Sequence, residues 1–217
     1  MKYWFYQLFY PQKCIFCGKV LDENETDLCR NCRKTAPEFP GSKIKFSFLA
    51  QWTGLWYYKE NVRQSLLRYK FRGRRNYAAA YGRMLAMKLQ STDNMDWDVL
   101  SWVPIARLRR LRRGFDQSQL IAEAVAKELD AVAVQTLRKV RNTKPQSGLG
   151  DAAHRRANIL GAYEAVEPEL WKDKRILLLD DVVTTGATAS ECAKTLLLAG
   201  AKEIKLATVA VATHDKR

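Results

Sequence analysis

Residues 175–188 read RILLLDDVVTTGAT. The aliphatic run Ile176–Leu179 predicts a strand, Arg175–Asp181, covered on both faces, which is the condition of a parallel sheet. Parallel neighbours need a crossover, and one follows. Ala189, Cys192, Ala193, Leu196 and Leu197 recur at the spacing of one helical face over Ala189–Leu198, and Gly200 stops the helix. A further apolar strand, Lys202–Thr213, completes a strand–helix–strand unit of right-handed connection.

The same alternation runs upstream. Strands are expected over 53–58, Asp98–Val103, 132–140 and Ile159–Ala165, with helices over 61–71, 76–90 and Ser118–Leu129. Residues 142–157 are polar and lack apolar periodicity, so they read as a mobile loop. The fold class is therefore α/β with a parallel-sheet core. Cys192 falls on the core face of its helix and needs no reactive role.

Cysteine use sets the first residues apart. Four of five cysteines stand as Cys14-x2-Cys17 and Cys29-x2-Cys32. Each pair turns two thiolates toward one point, and two such knuckles complete a tetrahedral sulfur site for structural Zn2+. Gly18 supplies the backbone freedom of the first knuckle. Disulfides and a redox pair are the rival readings; the cytoplasmic setting expected below and the duplication of the pair count against them. Pro37 and Pro40-Gly41 punctuate the end of this module, dividing the chain into residues 1–40 and 41–217.

The end of the apolar strand holds the sharpest chemistry. Ligands of open parallel sheets bind beyond the carboxyl ends of strands, where Asp180 and Asp181 fall. Thr184, Thr185, Gly186, Ala187 and Thr188 then lead into a helix N-terminus, whose amides and dipole suit an anion. Two carboxylates cannot share that anion, so they face sugar hydroxyls, a divalent metal or both. A phosphorylated ribose meets all these demands. A plain capping turn is the bland alternative, but it needs only one such residue.

The chain carries a net charge of +14, with clusters at 61–75, at 107–113 and from Arg138 to Arg156. Such clusters are either solvated surface or the footprint of a polyanion. Trp52, Trp56, Tyr57 and Tyr58 neighbour the first cluster, and they suit base stacking or core packing equally. No apolar run is long enough for a membrane span, and MKYWFYQLFY lacks a signal-like apolar stretch, so a cytoplasmic protein is expected. Trp4, Phe5, Leu8 and Phe9 share one helical face, suited to packing or to a membrane interface. Gly148–Ala153 matches a dinucleotide pattern without the preceding strand it requires, and His154 beside it reads as an exposed loop residue.

Taken together, LLLDDVVTTGAT resembles the ribose 5-phosphate motif of the type I phosphoribosyltransferases. Residues 103–117, VPIARLRRLRRGFDQ, are similar to the VP…RRGFNQ segment of the ComF/GntX group. The series Gln146, Leu149, Arg155, Asn158 and Gly161-Ala162-Tyr163 is similar to that group's Q-x2-L…R-x2-N…GAF, and a four-cysteine module is typical of it. Asp116 stands where Asn is usual, and Tyr163 where Phe is.

The resemblance implies a type I phosphoribosyltransferase fold with a flexible lid over 142–156 and a hood from 48–90, preceded by the zinc module. It implies phosphoribosyl pyrophosphate (PRPP) as ligand, with Thr184–Thr188 on the 5-phosphate and Asp180 and Asp181 on the ribose hydroxyls, directly or through Mg2+. Arg107 and Arg113 would meet the pyrophosphate, and Arg155 would close with the lid. It also implies a role in DNA uptake during natural competence. The alternative is a PRPP sensor without turnover that handles single-stranded DNA or docks on a competence helicase.

Overall fold

The computed structural model describes residues 11–41, 43–141 and 159–212. The N-terminal aromatic stripe, the Gly148–Ala153 pattern, His154, Arg155 and the expected lid lie outside the described residues.

Helix α1 (Arg30–Thr35) belongs to the cysteine module. Strand β1 (Gln51–Tyr57) then leads to helices α2 (Glu60–Phe71) and α3 (Tyr77–Gln90). Strand β2 (Val99–Trp102) is followed by α4 (Arg107–Arg113) and α5 (Gln117–Glu128). The short strands β3 (Leu137–Lys139) and β4 (Tyr163–Ala165) precede β5 (Arg175–Val183), α6 (Ala187–Leu198) and β6 (Glu203–Val211).

Strands β1, β6, β5 and β2 form one all-parallel sheet in that order. β5 lies inside it, and its Ile176–Leu179 are completely buried, as a strand covered on both faces should be. On one face α2, α3 and α5 share an apolar cluster with Leu177, Leu179 and Val209. On the other, α6 sets Ala189, Cys192, Ala193 and Leu196 against Ile176, Leu178 and Leu206. Cys192 is thus a packing residue. Gly82 of α3 gives α5 its close approach, since a Cβ there would stand 2.4 Å from that of Ala124.

Two expectations need correction, and one helix was not expected. The strand expected over 132–140 is broken: Ala133 makes a single parallel bridge to Leu100, and pairing resumes only at Leu137. β3 and β4 form a separate antiparallel ladder, and Ile159 and Leu160 precede it rather than belong to it. The run RLRRLRR at 107–113 is a helix, which its charge concealed.

The cysteine module is fastened to the α/β body. Ile15, Phe16 and Leu28 share a core with Val62 and Leu66, and the Phe16 ring meets Trp56 edge to face at 5.0 Å. Arg83 makes a two-pronged contact with Asp27, and Arg68 donates to the carbonyls of Ile15 and Phe16. The aromatics of β1 are core residues too: Trp56 is buried, while Trp52 packs on Phe39 and Phe46 and donates to the Ile44 carbonyl. Among the described residues no helix is long and apolar enough to cross a membrane.

Candidate functional site

The chain leaves β2 for α5 on one face of the sheet and leaves β5 for α6 on the other. Adjacent parallel strands whose connections part in this way open a crevice at their carboxyl ends. Asp180 and Asp181 stand at the β5 side of that crevice, and Val103-Pro104 closes the β2 side.

The turn after β5 has the form of an anion cradle. Gly186 caps α6 with φ +73°, a left-handed conformation that glycine adopts freely. Thr185 Oγ1 accepts the Ala187 N–H at 3.4 Å, so the helix starts on a tight, hydroxyl-bearing turn. Asp180, Thr184, Gly186, Ala187 and Thr188 line one small hollow there. The Phe46 ring packs on Gly186, where a Cβ would stand 2.2 Å from its nearest carbon. The N-terminal turn of a twelve-residue helix, with its dipole and the adjacent hydroxyls, suits a phosphate.

The two acids are held differently. Asp181 pairs with Lys70 of α2 at 2.9 Å. Asp180 accepts from Ser118 Oγ at 2.9 Å and from the Asp181 N–H at 2.8 Å. Burial, then the neighbouring Asp181 charge, pushes Asp180 up to about 7, against the pull of Lys70. Sequence reasoning missed Lys70 and Ser118. Lys70 was visible only as one positive charge among many, and nothing in the spacing singles it out. As a donor set, two carboxylates without soft ligands fit a hard divalent cation such as Mg2+.

The segment from Val103 to Gln117 is shaped by Asp116. This buried carboxylate accepts the Ser118 and Gln119 N–H groups on one oxygen, capping α5, and the Ile105 N–H on the other at 2.9 Å. Burial raises its pKa, and these three donors oppose the rise. The negative charge beside the arginine run is thus satisfied inside the loop. Arg113 donates to Gln117 Oε1 at 2.8 Å and lies over the Phe71 ring at 4.9 Å. Arg107 is exposed and lines a different cavity of about 150 Å³ beside β2, with Arg110, Gln119 and Lys139. The two arginines expected to act together therefore face different surroundings.

Part of the remaining basic charge is tied to other elements of the fold. Arg75 donates to the Gly114 carbonyl and stacks on Phe115; Arg138 pairs with Glu164; Arg141 donates to the Leu160 carbonyl. Arg72, Arg74, Arg107, Arg110 and Arg112 stay exposed.

At the other centre the ligating atoms of Cys14, Cys17, Cys29 and Cys32 all lie within 4.8 Å of one another, with Cys17 and Cys29 Sγ 3.7 Å apart. Zn–S bonds of ~2.3 Å in a tetrahedron require S···S of about 3.8 Å, so the four fit zinc. The first knuckle closes by Gly18 N–H to Cys14 O at 2.8 Å, with Gly18 at φ +81°. Burial raises the Cys14 thiol, but N–H groups of Cys17, Cys29 and Phe16 outweigh it and bring the thiol down to about 7.

Comparison with known proteins finds a domain family for each of the two regions. Residues 116–217 match the phosphoribosyl transferase domain family and residues 5–43 the double zinc ribbon domain family. Competence protein F of Haemophilus influenzae is 27% identical over 91% of this chain and 96% of its own. Competence protein ComFC of Streptococcus pneumoniae is 25% identical over 89% and 97%. DNA utilization protein YhgH of Salmonella typhimurium is 35% identical over 63% of this chain and 61% of its own. A phosphoribosyltransferase domain of type I fold thus stands behind a four-cysteine zinc ribbon, in a chain that is similar to ComF-type competence proteins along nearly their whole length.

Proposed function

We propose that the chain binds PRPP in the β2/β5 crevice and serves the uptake or use of DNA, as the names of its relatives suggest. The observation that carries the reading is the shared hollow: Asp180 lines the same space as Thr184, Gly186, Ala187 and Thr188. Thr184–Thr188 take the 5-phosphate through amides and hydroxyls, while Asp180 and Asp181 face the ribose hydroxyls. Ser118 and Lys70 hold the acids in place. Mg2+, when bound with PRPP, would neutralise pyrophosphate and carboxylate charge together.

In phosphoribosyl transfer the bond from ribose C1 to the pyrophosphate oxygen breaks, and its electron pair leaves on pyrophosphate. The acceptor's nucleophile then bonds to C1. Positive character on the ring during that exchange is favoured by the adjacent carboxylates. Arg107 and Arg113 are assigned to the departing pyrophosphate, and Arg155 with residues 142–156 to the exclusion of water.

Calorimetry with PRPP and Mg2+ tests the site. Binding is expected, and the double variant Asp180→Asn, Asp181→Asn should weaken it by about ten-fold or more; an unchanged affinity overturns the assignment. Pyrophosphate release across a panel of acceptors then separates transfer from sensing.

A second reading is favoured by the exposed arginines 72, 74, 107, 110 and 112. They suit the backbone of single-stranded DNA, with PRPP as a signal rather than a donor and with a competence helicase as a further partner.

A further inference from the structure

Three consecutive residues of α2 face three different parts of the molecule. Arg68 Nη2 donates to the Phe16 and Ile15 carbonyls, at 2.5 and 2.9 Å, between the first two cysteines of the zinc knuckle. Tyr69 is completely buried, and its hydroxyl donates to the Gln117 carbonyl at 2.8 Å. Gln117 begins α5, and the next residue, Ser118, donates to Asp180. Lys70 pairs with Asp181. One turn of helix therefore touches the zinc knuckle, the start of α5 and the acid pair.

We infer that Arg68, Tyr69 and Lys70 are positioning residues through which the zinc knuckle sets the geometry of the acid pair, so that loss of zinc loosens a site that shares no ligand with it. The inference rests on the proposed PRPP site for its consequence, but not for its geometry.

Three physical features carry it. The knuckle carbonyls that Arg68 grips lie on the backbone between Cys14 and Cys17, whose thiolates belong to the four-sulfur centre, and metal binding at such a centre is coupled to the folding of its knuckles. The grip is charge-assisted and partly buried, hence stronger than a neutral hydrogen bond. The side chain between the two charged ones is locked at 0% exposure, so α2 cannot turn locally to keep one partner while releasing the other. Arg83 with Asp27 is a second tie between module and body, and it runs to α3 rather than α2.

Hydrogen exchange on the full zinc-loaded chain, without ligand, tests the coupling. Chelation of zinc should raise amide exchange by about ten-fold in 66–72 and in 178–184, as well as in 11–35. Zinc-loaded Arg68→Met should already show the raised exchange in 66–72 and 178–184, and chelation should add nothing further there. Exchange confined to 11–35 after chelation, or a zinc-loaded Arg68→Met that behaves as wild type, overturns the inference. Should Arg68→Met fail to fold, chelation of the wild type decides alone.

PRPP affinity supplies the readout that a merely structural role would leave unmoved. Lys70→Met should lose about ten-fold, and Lys70→Arg should recover most of the loss. An affinity insensitive to Lys70→Met overturns its positioning role. A wild type that binds no PRPP defeats the proposed function instead, and leaves the exchange result standing.

Discussion

The ring of Phe46 rests directly on Gly186, from a segment that precedes the sheet onto the turn that starts α6. The contact excludes any side chain at 186, and the backbone there already lies at φ +73°. Gly186→Ala must therefore both adopt an unfavourable left-handed conformation and displace an aromatic ring. A cost of about 2–4 kcal/mol is expected in denaturant unfolding, together with loss of PRPP binding. Adding Phe46→Ala should return only the steric part. Full restoration by the second substitution would show that the conformation of Gly186 costs nothing.

The acid pair predicts a pH dependence with a definite sign. Asp180 is raised from 3.8 to about 7 by burial and by the charge of Asp181. Between those values the folded chain holds a proton that the unfolded chain has released, so Asp180 favours folding below its unfolded pKa and this contribution is lost as pH rises through about 7. Ligand binding runs the other way, because Mg2+ and ribose hydroxyls need the ionised pair. PRPP affinity should rise about ten-fold from about pH 6 to about pH 8, and Asp180→Asn should flatten the profile. A fall over that range would place the titrating group elsewhere.

Asp116 ties Ile105 to the start of α5 through both carboxylate oxygens. Asp116→Ala leaves buried N–H groups unpaired and should cost about 2 kcal/mol, or about 4–8 °C in melting temperature. Asp116→Asn keeps one accepting oxygen but turns an amide donor toward another donor, so a smaller fall is expected. A melting curve unchanged in the alanine variant would show that water replaces both oxygens.

The exposed arginines allow a quantitative test of the DNA reading. If they bind phosphates, affinity for a single-stranded oligonucleotide should fall linearly with the logarithm of salt concentration. Arg107→Ala with Arg110→Ala should then reduce that slope by about one for each phosphate no longer neutralised. Fluorescence anisotropy at several salt concentrations measures it. A slope unaltered by both substitutions would remove these residues from the interface.

How much of this was legible in the chain depended on how local each signal is. β5 and α6 stand out because an unbroken apolar run and an i, i+3, i+4 series each report their own burial. The four cysteines are equally plain, since two short spacings define the site. By contrast, Lys70 gains its meaning from Asp181, far along the chain, and no spacing rule joins them. The basic clusters mislead for the same reason. Arg68, Arg75, Arg138 and Arg141 look like free surface charge until their carbonyl and carboxylate partners arrive from other elements. The 132–140 stretch reads as one strand because its alternation persists across a break that only the register with β2 exposes.

The parallel pairing of β1 with β6 also bears on how the chain is made. β1 lies at one edge of the sheet, and its ladder is to β6, with Glu38 bridging to Trp56 on the open side. Gln51–Tyr57 thus emerges from the ribosome long before Glu203–Val211 exists to receive it. During synthesis the edge that will pair with β6 waits unpaired, while the face that carries Trp56 can already meet Phe16 of the ribbon. Pairings of such sequence separation close slowly, and an unpaired strand edge invites aggregation while it waits. A ribbon folded early around zinc would then cover the apolar face of the first strand, and leave its edge as the part that waits for the last strand.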